Sequence, residues 1–178
     1  MSILPELQSR FDHYNRKRGT LLQNLSALPP ETLSKNLGPD RWSLLQVIEH
    51  LVKAERSVLM NLPDPSLLVH RPRGIRAQLG YLVVIWVLKW GLPVPVPEPA
   101  MIPDGHQSNL SVLRVEWDRN TNWLKHYLDN LTPSSAMRAV FRHPVTGPLT
   151  PDRALRLAHL HLGTHVRQID RIRRAIGV

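Results

Sequence analysis

In four stretches of this chain, apolar side chains return every third or fourth residue. That spacing matches the 3.6-residue helical turn and is the strongest constraint the sequence places on its own fold. The first stretch runs from about Pro5 to Leu28, with Leu7, Phe11, Tyr14, Leu21, Leu25 and Leu28 on one face. Pro29 and Pro30 stop it, because proline cannot continue the backbone ladder. The second begins at Ser43, which forms a capping box with Gln46, continues through Val47, Ile48, Leu51, Val58, Leu59 and Leu62, and ends at Pro63. The third covers about Asn109 to Leu131, its stripe made by Leu110, Leu113, Trp117, Thr121, Leu124, Leu128 and Leu131. The fourth opens at Thr150-Pro151-Asp152, a capping hydroxyl, a first-turn proline and an acid at the positive helix end. It continues to about Ile176, with Arg173 and Arg174 in its last turn and Gly177 beyond.

No strand-forming alternation competes, so the expected fold is all-α, a four-helix bundle in a single domain. The joins are unequal. Helix one reaches helix two in 14 residues, Pro29 to Trp42, and the third join, Thr132 to Leu149, is similar. The second spans 46 residues, Pro63 to Ser108, and is long enough to travel back along the bundle. Helices two and three can then run parallel, giving up-down-down-up order with a helix-containing crossover. Within that crossover, GYLVVIWVL at 80–88 is broken by Lys89, short of the ~20 apolar residues a bilayer span needs. A buried or dimer-packing helix is the first expectation, and a helix lying in a membrane surface is the second. PVPVPEP at 93–99 cannot be helical and should run extended as a stiff strap.

The absence of cysteine excludes disulfides, thiolate metal sites and a cysteine nucleophile. The opening MSILPELQSRFDHYNRKR does not read as a signal peptide, and the expected location is the cytoplasm. A formal charge of +9 favours anionic partners, among them a small acidic substrate. The basic residues are dispersed, with modest clusters at Arg71, Arg73 and Arg76 and at Arg171, Arg173 and Arg174. They lack the aromatic interleaving of a single-strand binding surface, so nucleic-acid binding rests on charge alone.

The chemistry lies in HLHLGTHVRQID at 159–170. His161 and His165 stand about 40° apart on one helix face, with Ala154, Leu157, Ala158, Gln168 and Ile172 on the same inward stripe. Nine histidines among 178 residues give roughly 0.4 such pairs by chance, so spacing alone is weak. Their place on a buried stripe says more, because imidazoles there are costly unless paired or metal-bound. A third ligand has to come from another helix, and His50 is the candidate. Three neutral imidazoles would leave a zinc-like ion its full charge and an open position, where a water or a thiol could ionise. Gln168 could orient a ligand ring. Glu55, about 140° from His50, is neither ligand nor base. Trp42 reads as an apolar plug, His143 and His159 as surface or loop residues. No nucleophile elbow or glycine-rich phosphate loop is present.

These residues carry a resemblance. WSLLQVIEHL at 42–51 resembles the W-S-x-x-x-V-x-x-H-L opening of helix two in the DinB/YfiT-like superfamily. HLGTHVRQI at 161–169 resembles that family's H-x-x-x-H-x-x-Q-I, and FRHPVTGPLTPDRAL at 141–155 its H-P-x-x-G-x-L-T lead-in. The matches lie in order from about residue 30 to 175; the long central connection carries little of them. The resemblance implies an up-down-down-up four-helix bundle and a divalent metal, zinc or nickel, held by His50, His161 and His165. It also implies a homodimer, and an activity with a low-molecular-weight thiol, of the S-transferase type, or a hydrolysis. A non-catalytic bundle that binds a metal or ligand, or tethers to a membrane through residues 71 to 92, is the competing reading. Fold and triad transfer more readily than any activity.

Overall fold

A computed structural model describes residues 4–38, 41–70, 72, 74–91, 103, 109–138, 141–143 and 146–178. Its elements in chain order are α1 (Pro5–Ser26), α2 (Pro30–Ser34), α3 (Leu44–Met60), α4 (Ile75–Trp90), α5 (Leu110–Asp129), α6 (Pro133–Ala136), β1 (Phe141–His143), β2 (Gly147–Leu149) and α7 (Pro151–Ile176). The four long helices α1, α3, α5 and α7 are the expected bundle. PVPVPEP lies outside the described residues.

Their directions follow from which residues meet. Arg10 pairs with Asp152, the His13 ring lies 4.6 Å from that of His159, and Lys17 reaches Gly163. The contacts advance together, so α1 and α7 run parallel. Leu7 and Phe11 pack with Tyr127 and Leu128, whereas Arg18 reaches back to Asp118, so α1 and α5 are antiparallel. The start of α3 packs with Leu113 and Trp117, and Leu62 beyond its end packs with Leu124 and Leu128, so α3 and α5 are parallel. This is up-down-down-up order.

The apolar stripes of the sequence form the core. Leu25, Leu44, Val47, Ile48, Leu113, Trp117, Leu162 and Ile169 are fully enclosed. A polar layer crosses it. The Glu55 carboxylate accepts from Tyr14 Oη and from Trp117 Nε1 (3.0 Å), and Arg18 lies over the Trp117 ring while pairing with Asp118 at 2.7 Å. Asn120 Nδ2 donates to the Val52 carbonyl at 3.2 Å.

The helix starts behave unequally. Ser43 Oγ accepts from Gln46 N (3.2 Å), and Ser43 N donates to Gln46 Oε1 (2.9 Å), completing the capping box. Thr150 occupies the expected cap position of α7, but its hydroxyl makes no capping bond. Pro151 removes one orphan amide there, and the carboxylate of Asp152 turns to Arg10.

Two further expectations are corrected. A small antiparallel hairpin forms in the last join, with Phe141 opposite Leu149 and His143 opposite Gly147. Three-residue strands are too short to display alternation, and the turn needs Gly147, whose φ is +68°. The second correction concerns α4, the helix of the crossover. It packs along α7 and β2 but buries Tyr81 alone, so it is not a core helix. Among the described residues, no helix is long and apolar enough to cross a membrane.

The core and the cap define expected stabilities. Ile48→Ala should lower the unfolding free energy by about 2–5 kcal/mol, and Ser43→Ala by about 1 kcal/mol. Both should move the urea midpoint at constant slope. A Ser43→Ala variant of unchanged midpoint would mean that the capping box contributes nothing.

Candidate metal centre

His50, the seventh residue of α3, sits nearly two turns into it, on the face turned to α7. Val47 and Ala54, buried on that face, help to leave the imidazole almost fully enclosed. His161 and His165 come from the middle of α7, where Leu162 and Ile169 lock the helix against the same core. His161 and His165 stand one turn apart on one face of α7, and His50 of α3 lies opposite both. The ring centroids lie 4.7 Å (His50–His165), 5.5 Å (His50–His161) and 4.6 Å (His161–His165) apart. One nitrogen from each ring lies within 4.8 Å of the others, an arrangement that could hold a metal ion.

The donor chemistry fits a divalent ion. His161 Nε2 and His165 Nε2 are 3.1 Å apart. Two metal–nitrogen bonds of about 2.1 Å place their nitrogens about 3.0 Å apart at a right angle and about 3.4 Å apart at the tetrahedral angle. The His50 nitrogen has only to close inward. His165 Nδ1 meets Gln168 Oε1 at 2.7 Å. The amide oxygen can only accept, so this nitrogen carries the proton and Nε2 keeps its lone pair directed into the cluster. Gln168 thus stands where a ligand-orienting residue should.

Burial, then the neighbouring His165, His50 and His143, push His161 down to about 3. Burial and His50 bring His165 down to about 4, with the Gln168 bond opposing them. Both rings are therefore neutral at physiological pH, the form in which imidazole binds metals.

Two residues that the sequence reading set aside also belong here. His143 is not a loop residue: it lies in β1, half-buried, near enough for its charge to act on His161. Its Nδ1 accepts from Thr146 N at 3.2 Å, so a neutral His143 carries its proton on Nε2. Only the hairpin brings it to α7, and no helical spacing could have signalled that. Trp42 plugs the start of α3, as expected, and also walls the cluster, its ring 5.0 Å from that of His50. His159, on α7 and half-buried, points instead to His13 of α1. Glu55 stays in the polar layer with Tyr14 and Trp117. A cleft of about 800 Å³ opens near the C-terminal ends of α3 and α5, lined by Trp123, Tyr127 and Arg138 among others. It contains no group of three ligand-type side chains among the described residues, so this cleft and the triad are separate.

The depressed histidines set a pH dependence. Below about pH 6.5 the unfolded chain takes up protons that His161 and His165 refuse in the folded protein. Their stabilising effect is complete above that pH and is lost as the pH falls through 4 toward 3. Urea unfolding of the chelator-treated protein should weaken from pH 7 to pH 5, by up to about 1.4 kcal/mol per pH unit for each histidine. His161→Gln should flatten that slope. Equal slopes for the two proteins would show that His161 titrates normally.

Comparison with known proteins agrees with this architecture. YfiT from Bacillus subtilis, described as a probable metal-dependent hydrolase with an unusual four-helix bundle topology, shares the fold at a TM-score of 0.53 and 21% identity. The match covers 99% of this chain and 91% of that one. No curated protein matches the chain. The family model described as DinB superfamily matches residues 13–169 and so runs through both helices that carry the triad. On that match the chain belongs to the DinB superfamily.

Proposed function

We propose that this protein is a divalent-metal-dependent enzyme, with zinc or nickel held by His50, His161 and His165. The observation that carries the reading is the convergence of three imidazoles from two antiparallel helices, two of them kept neutral by burial and one oriented by Gln168. When bound, such an ion supplies a Lewis-acid centre that favours the ionised form of a small nucleophile on its open side. The chain's own residues do the rest. Gln168 fixes the tautomer of His165. Trp42 closes the side of His50 against solvent. His143, with a proton on Nε2, is placed to exchange protons beside His161.

The nucleophile we favour is a low-molecular-weight thiol, in a transfer to a small electrophile. The chain's charge of +9 favours an acidic one. Hydrolysis is the second reading, supported by the description of YfiT as a probable metal-dependent hydrolase. In either case the site is used by a small molecule.

Two measurements test the proposal. Protein loaded with zinc or nickel should bind one equivalent of ion per chain, and His161→Ala should abolish it. Gln168→Ala should weaken affinity about 10- to 100-fold, and His143→Phe should leave the stoichiometry intact. Unchanged loading of His161→Ala would remove the site. Next, titrating the cobalt form with small thiols should produce a sulfur-to-metal charge-transfer band. A spectrum indifferent to thiols would discard the transferase in favour of hydrolysis.

A further inference from the structure

The crossover helix α4 presents an apolar face that the bundle does not use. Its inward side, with Ala77, Tyr81, Val84 and Leu88, packs against α7 and β2. On the opposite side stand Ile75, Leu79, Leu82, Val83, Trp86 and Trp90, all exposed; Ile75 is 79% exposed, Leu82 62% and Trp86 57%. At 100° per residue these six occupy one stripe about 100° wide, running the full length of the helix. A contiguous apolar face of this kind marks an interaction surface.

The rim of the stripe identifies what it meets. Arg76 and Lys89 flank it on the helix itself. On the inward side, by contrast, Arg153 and Arg156 of α7 lie by Tyr81 and Arg167 donates to the Leu88 carbonyl at 2.6 Å, contacts that hold α4 to the bundle. Asp152, also within electrostatic reach of Tyr81, is paired with Arg10. From Pro65 to Pro97 the sequence contains Arg71, Arg73, Arg76 and Lys89 and no acidic residue. A second copy of the chain would bring this cationic rim against itself, because a two-fold contact pairs a patch with the same patch. An anionic surface complements it. Trp86 and Trp90, their rings tilted to each other with centroids 6.3 Å apart near one end of the stripe, are side chains suited to the boundary between acyl chains and headgroups.

We propose that α4 docks the protein onto an anionic lipid surface, with the stripe of Ile75, Leu79, Leu82, Val83, Trp86 and Trp90 seated at the headgroup–acyl boundary and the flanking Arg76 and Lys89 on the lipid phosphates. The helix lies in the surface rather than across it, since its 16 residues are too few to span. The bundle follows it closely, because Thr164 and Arg167 of α7 both bond to the Leu88 carbonyl, beside His165.

The full-length protein, spun down with phosphatidylcholine vesicles with and without phosphatidylglycerol, tests this. Pelleting should be at least about tenfold greater with phosphatidylglycerol and should fall as salt is raised. The double variant Leu82→Glu/Trp86→Glu should lose it, whereas Val115→Glu, at an exposed apolar position on α5, should not. Arg76→Gln/Lys89→Gln should weaken it with unchanged helical circular dichroism. Light scattering of the free protein should show the same mass for wild type and the Leu82→Glu/Trp86→Glu variant. Three results would overturn the proposal: no pelleting, pelleting that survives Leu82→Glu/Trp86→Glu, or a solution dimer which that variant dissociates. The last would assign the stripe to a second copy.

Discussion

Two imidazoles on the inward face of α7 cannot be left without partners, and much of the architecture answers that demand. A polar ring enclosed by the bundle loses its water and must recover that interaction from another side chain or an ion. Here the recovery is shared. Gln168 accepts a hydrogen bond from His165 Nδ1–H, His50 comes across from α3, and the two Nε2 atoms of α7 stand at a separation suited to one ion. The demand also constrains topology. His50 meets both histidines because α3 packs directly against α7 at their level.

The up-down-down-up order depends on the long crossover. A short loop after α3 would force the next helix to run back antiparallel, whereas the residues from 63 to 108 allow α5 to start again beside the start of α3. Trp117 then meets the α3 core and donates to Glu55, and the polar layer with Tyr14 and Arg18 forms around that contact. Glu55 and His50 thus occupy separate faces of α3. One face serves structure and the other presents ligands.

The crossover helix is apolar nearly all round, yet it lies on the outside. One side is used in packing against α7 and β2, and the other keeps an apolar stripe framed by cations. The same packing places the β hairpin beside the triad and with it His143. A proton-bearing histidine and an exposed docking face are both consequences of how the joins fold back on the bundle.

The sequence by itself determined the four long helices and the pairing of His161 with His165, because both depend on local periodicity: 3.6 residues per turn decides which side chains share a face. It also marked Ser43 as a cap and Glu55 as pointing away from His50 for the same reason. Local rules stopped at the joins, where strands of three residues and a helix without a polar face carry no readable period. Only the tertiary structure decided that α4 is exposed, that Thr150 makes no capping bond, that Trp42 lies against His50, and that His143 lies near His161. The exposure of α4 and the approach of His143 to His161 depend on how the joins pack back on the bundle, and that is set by packing rather than by spacing.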